Sequence, residues 1–150
     1  MWSDIKKKIT HYKESGSLVS VSHEPLAIGI LTPIMQRAHR LRSSSEIAFV
    51  DSTASCDADN HVITFLLVQS PYGAIPAGVI ITAGQSQKDY QSGFLALNNL
   101  LEGFAFNGKG SPSVFITDDS SACVGICLAP VMPFSHHASR MVLALGCKTL

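Results

Sequence analysis

EIAFVDSTASCDADNHVITFLLVQSPYGAIPAGVIITA, residues 46–83, decides the fold. It holds three β-rich runs with turn chemistry between them. EIAFVD (46–51) is short, apolar and closes on an acid. SCDADN supplies Asp57, Asp59 and Asn60, residue types whose side chains bond nearby backbone in turns, and HVITFLLVQ (61–69) follows. Ser70–Pro71–Tyr72–Gly73 makes the next turn and leads through Pro76 into AGVIITA (77–83). Strand-like runs joined in this way predict an antiparallel meander.

Downstream, SQKDYQSGFLALNNLLEGF (86–104) sets Tyr90, Phe94, Leu97, Leu100 and Leu101 at helical spacing, which predicts an amphipathic helix. Asn107, Gly108 and Gly110 form a loop, and SVFITDD (113–119) reads as a buried strand closing on two acids. SSACVGICLA (120–129) suits a helix stopped before Pro130, and RMVLALGC (140–147) a last strand. Upstream, LAIGILTPIMQRAHRL (26–41) is apolar and then basic, with Pro33 placed to start a helix through His39 and Leu41. Residues 1–24 are polar and read as a surface arm or short helix, set apart from a domain spanning 25–150. The Lys6–Lys7–Lys8 run there is the composition of a solvated face. The order β-β-β-α-β-α-β predicts an α/β fold: three antiparallel strands, then two parallel strands joined through helices.

Composition narrows the function classes. The chain has 150 residues, 46% hydrophobic and 15% charged, which is globular and large enough for a real core. Its formal net charge is zero, so the basic surplus common in nucleic-acid-binding domains is not there. No run of about 18 apolar residues suggests a membrane span, and MWSDIKKKITHYKESG lacks the apolar core of a signal peptide. An intracellular setting with reduced cysteines is expected. Cys123 and Cys127, four apart, fit one helical face, but no Cys or His around them completes a zinc pattern, so small buried thiols are expected.

The candidate chemistry lies in two acids. Asp51 closes IAFVD and Asp118 closes VFITD. If those strands are parallel neighbours, about 4.8 Å apart, carboxylates at equivalent positions can share a cation. Mg²⁺ or Mn²⁺, which prefer oxygen donors, fit such a pair better than zinc, and would remove the repulsion between the two acids. The plain alternative is that each acid serves a turn or caps the next helix; Asp119, followed by Ser120 and Ser121, suits that role and leaves Asp118 as the ligand candidate.

IAFVDST at 47–53, IPAGVIITAGQS at 75–86 and VFITDDSSA at 114–122, taken together and in this order, resemble the transposase domain of Mutator-like elements. The resemblance spans roughly residues 30–122. It implies an RNase H-like fold and metal-dependent DDE chemistry, the nicking and transfer of DNA strands, with Asp51 as the first catalytic aspartate and Asp118 as the second. It implies Mg²⁺ or Mn²⁺ as cofactor, DNA as partner and a nuclear location.

The departures from that family bear on activity. Its third acid, a glutamate on a later helix, has no counterpart here: Glu102 is the last glutamate and precedes Asp118. Cys147 matches the cysteine of the family's Cys-x-x-His pair, but Leu150 stands at the histidine position. His136–His137 reads as a loop pair, since adjacent side chains rarely reach one ion. Two expectations follow. One is a truncated or degenerate transposase core, inactive alone, with a partly uncovered sheet that favours self-association. The other is a domesticated, non-catalytic interaction module on the same fold.

Overall fold

The computed structural model describes residues 2–54, 57–118 and 141–145, with backbone only for Trp2, Asp118 and 141–145. In chain order the elements are α1 (Trp2–Glu14), β1 (Leu18–His23), β2 (Leu26–Leu31) and α2 (Pro33–His39). A 3₁₀ turn (Arg42–Ser45) follows, then β3 (Ile47–Thr53), β4 (Val62–Ser70), β5 (Gly73–Thr82), α3 (Gln87–Leu101), β6 (Val114–Asp118) and β7 (Met141–Leu145). The strands form one mixed sheet in the order β1-β2-β5-β4-β3-β6-β7. Every neighbouring pair from β1 to β3 is antiparallel, whereas β3–β6 and β6–β7 are parallel. No helix among the described residues is long and apolar enough to cross a membrane.

The α/β class and the β3–β4–β5 meander agree with the sequence reading, and three features differ from it. Residues 1–24 are more than an arm: α1 is followed by β1, an edge strand paired with β2 along its whole length. Those strands add two antiparallel members to the three expected. Strand β5 begins at Gly73, so Pro76 lies inside it; the pairing shifts there, with Leu66 opposite Gly78 and Leu67 opposite Pro76, and this irregularity accommodates a residue that cannot donate to the ladder. Finally, β3 runs on to Thr53, so Asp51 is an interior strand residue and not the closing one. The expected helix over 120–129, the thiols Cys56, Cys123, Cys127 and Cys147, and the His136–His137 pair lie outside the described residues.

Both α2 and α3 are N-capped by a hydroxyl. Thr32 accepts from the Met35 N–H just ahead of Pro33, and Ser86 and Asp89 exchange bonds, the Asp89 carboxylate accepting from the Ser86 N–H at 3.0 Å. The two helices share one core with alternate strand residues: Leu31, Ala48, Val50, Leu66, Val68 and Ile80 pack with Met35, Phe94 and Leu97. Close approach of α3 depends on missing side chains. A Cβ on Gly29 would stand 2.9 Å from the backbone of Ala96 and Leu97, and one on Gly93 would stand 2.3 Å from Ile80 Cγ2. α1 lies on the other face, where Ile5, Lys8, Ile9 and Tyr12 line a half-open, mainly apolar pocket of about 250 Å³ with Val19, Ile28, Ile30 and Ile81.

His39 ties three segments together from within this core. It is fully buried; its Nε2 meets the Ala77 carbonyl at 2.8 Å on β5, and its Nδ1 accepts from the Phe106 N–H at 3.2 Å. With Nδ1 an acceptor, Nε2 is the donor and the ring is neutral. Burial is the larger cause holding its pKa down at about 4, against the smaller upward pull of the Ala77 carbonyl.

Two outcomes follow from this packing. Gly29→Ala forces Cβ against backbone that cannot rotate away, and should cost about 1–3 kcal/mol, seen as a lower melting temperature; an unchanged melt would contradict the close helix–sheet contact. For His39, the unfolded chain binds its proton near pH 6.5 and the folded chain only near about 4. Stability is therefore full above pH 6.5 and declines as pH falls towards 4, by roughly 3 kcal/mol over the interval. Melts between pH 7.5 and about 4.5 should show the decline in the wild type and a weaker one in His39→Asn.

Candidate functional site

Strand alternation places Asp51 on the face opposite the α2–α3 core. Ala48 and Val50 are buried in that core, while Asp51 between Val50 and Ser52 is exposed. Ser52 turns back to the core side, where its hydroxyl meets that of Thr64 at 2.8 Å. Following the register across the sheet, Val19, Ile30, Val79, Phe65 and Asp51 form one continuous cross-strand row. Four apolar residues and then an acid occupy that row. Helix α1 covers its β1–β2–β5 end; Phe65, the direct partner of Asp51, stays 38% exposed.

The parallel pairing of β3 with β6 brings the two aspartates to matching positions. The register runs Ile47↔Val114, Ala48↔Phe115, Phe49↔Ile116 and Val50↔Thr117. Asp51 and Asp118 are the next residue on each strand. On its other side Asp118 pairs with Leu145 of β7. Two neighbouring strands thus carry aspartates one step past the last β3–β6 pair, Asp118 closing β6 and Asp51 two residues short of the end of β3. An exposed aspartate beside a second aspartate position offers hard oxygen donors, the donor type suited to Mg²⁺ or Mn²⁺.

A second group of ligand-type side chains lies in the β3–β4 connection. Asp57, Asp59 and His61 bring one donor atom each within 4.8 Å of one another. The Asp57 carboxylate accepts from the Asp59 N–H at 3.1 Å and the His61 N–H at 3.0 Å, and pairs with His61 Nδ1 at 2.6 Å. The His61 side-chain bond is the largest influence holding the Asp57 pKa below the usual carboxylate value. These bonds make a braced turn, as the Asp and Asn content of the stretch foretold. Reading the sequence identified the acids of this turn but not the role of His61, because nothing in spacing alone says that a histidine four residues on will fold back. The core role of His39 was equally hidden, since its partners Ala77 and Phe106 are distant in sequence.

Comparison with known protein families, with curated proteins and with solved structures gave no match. Geometry and sequence resemblance therefore carry the functional reading.

His61→Ala should let the Asp57 carboxyl titrate at higher pH, measured by carboxyl-carbon NMR across an acid titration. An unmoved Asp57 would show that the imidazole is not its partner.

Proposed function

We propose that this chain is a Mutator-like transposase core on an RNase H-like sheet, in which Asp51 and Asp118 are the first two acids of a metal-dependent DNA-cleaving site. The observation that carries the reading is the strand order β5-β4-β3-β6-β7. A meander is followed by a helix, and the next strand then joins the free side of the meander's first strand in parallel. That is the arrangement the resemblance implies, and it is consistent with a shared site, since Asp51 and Asp118 each follow the last β3–β6 pair, Val50 and Thr117.

Asp51 and Asp118 would hold Mg²⁺ or Mn²⁺ through carboxylate oxygens. When bound, such a cation activates an attacking oxygen and stabilises the leaving one in phosphodiester cleavage. Asp51 supplies an exposed oxygen donor, and the side chain of its cross-strand partner Phe65 offers it no hydrogen bond. No glutamate follows Asp118 within residues 1–150, so this span has no residue for the family's third acid and is expected not to cut DNA by itself. Two carboxylates leave most coordination positions to water, so affinity is expected to be weak.

Thermal shift with Mn²⁺ tests the pair. At a metal concentration ten times Kd, linkage gives about 1.4 kcal/mol, roughly 4 °C for a domain of this size. Asp51→Asn and Asp118→Asn should each remove the shift, while Asp119→Asn should keep it, and supercoiled plasmid should remain intact in all four proteins. Equal shifts in the wild type and Asp51→Asn would sink the paired-carboxylate site.

A further inference from the structure

We propose that the end of α2 and the loop after α3 form a phosphate-binding surface for duplex DNA, built from Arg37, Arg40, Arg42 and Lys109. The partner class rests on the DNA reading above; the surface itself rests on separate observations. Zero net charge conceals a segregated distribution. Three arginines fall within residues 37–42 with no acid among them, whereas residues 47–83 carry Asp51, Asp57 and Asp59 and neither lysine nor arginine; Glu46 and Glu102 are exposed acids on the arginine side.

All four cations are exposed, and among the described residues no carboxylate lies within ion-pair distance of any of them. Arg37 and Arg40 are three apart and so share a side of α2. Part of this charge complements the carbonyl end of the helix, which is its plainest role. That role does not account for Arg42, which lies beyond the helix, or for Lys109, which comes from another segment. The Arg40 guanidinium sits 5.8 Å from the centre of the Phe104 ring, a contact that restricts it before any ligand arrives.

The loop is held in place against backbone preference. Glu102, Phe106 and Asn107 adopt φ of 33°, 49° and 58°, and Gly103, Gly108 and Gly110 are also left-handed. For a bulky residue such as Phe106 this conformation is costly and persists only when its surroundings impose it. His39 imposes it: its ring accepts from the Phe106 N–H, and its carbonyl accepts from the Asn107 N–H at 2.6 Å. The consequence is that Lys109, two residues on, is carried to the arginine-bearing end of α2.

Four cations beside two exposed aliphatic side chains, Ile34 and Leu41, make the composition of a polyanion-binding surface. A protein interface instead has a core depleted of charge. Arg42 stands in the turn before β3, and Asp51 lies four residues into that strand, roughly 13 Å from its start at strand rise, so the surface is separate from the acids.

The test is fluorescence anisotropy of a labelled random-sequence duplex with the whole chain, in metal-free buffer, from about 50 to 200 mM KCl. Each phosphate contact contributes about 0.9 to the slope of log K against log salt, so Arg37→Gln, Arg40→Gln and Arg42→Gln together should reduce it by up to about 2.7. Affinity should fall at least tenfold, and three Arg→Lys changes should restore most of the slope. Lys6→Gln, Lys7→Gln and Lys8→Gln together should leave it nearly unchanged. The proposal is overturned by no wild-type binding at the lowest salt, by an unaltered slope in the arginine variant, or by equal affinity for polyglutamate. A missing Mn²⁺ response with the slope intact would remove the reading of the acids and leave this surface standing.

Discussion

Strand β3 is the element on which the rest of the sheet depends, because it is paired differently on its two sides. Against β4 it is antiparallel over Ala48–Thr53, and against β6 it is parallel over Ile47–Val50. An antiparallel partner can be reached by a turn, whereas a parallel partner needs a crossover long enough to return the chain to its starting end. The connection from β5 to β6 is that crossover: α3 packs over β2, β5 and β1, and the loop of residues 102–113 brings the chain back to the start of β6. The fit of α3 over the sheet explains why Gly29 and Gly93 stand where any side chain would collide with helix or strand. The same geometry sends β3 and β6 in one direction, so their carboxyl ends, and the aspartates near them, lie side by side.

Polarity along the strands follows from that arrangement. The carboxyl-terminal halves of β3 and β6 carry Asp51 and Asp118, with Asp57 and Asp59 in the turn that leaves β3. The amino end of β3 is approached from α2 through Arg37, Arg40 and Arg42. A chain neutral in total thus groups three arginines ahead of β3, with Glu46 and Glu102 as exposed acids at that end, and groups Asp51, Asp57 and Asp59 towards the other end of β3. In the functional reading proposed above, the aspartates take a divalent cation and the arginines take phosphate.

The sequence made the central strands legible because their periodicity and turn residues agree. HVITFLLVQ alternates cleanly between faces, and Ser70–Gly73 closes a turn in which the Ser70 hydroxyl donates to the Gly73 carbonyl at 2.7 Å. The β1–β2 hairpin was not legible: LVSVSH is half polar, as suits an edge strand, and LAIGIL looks like an apolar lead into the helix begun by Pro33. Pro76 hid the first part of β5, since only the local shift in pairing lets a proline lie there. That the strands carrying the two candidate acids are parallel neighbours was legible in the sequence. That Asp51 lies inside β3 was not, because strand length is set by how far β4 continues to pair with it. His39 illustrates the general limit: a buried neutral histidine is defined by partners brought together only by tertiary folding.

Paramagnetic broadening by Mn²⁺ in the amide NMR spectrum tests most directly whether β3 and β6 together build one cation site. Amides of Asp51 and Asp118 should broaden together at the lowest metal concentration, ahead of those at Asp57–His61, and Asp51→Asn should abolish both effects. Broadening that begins at Asp57–His61, or that affects Asp51 without Asp118, would contradict a shared site.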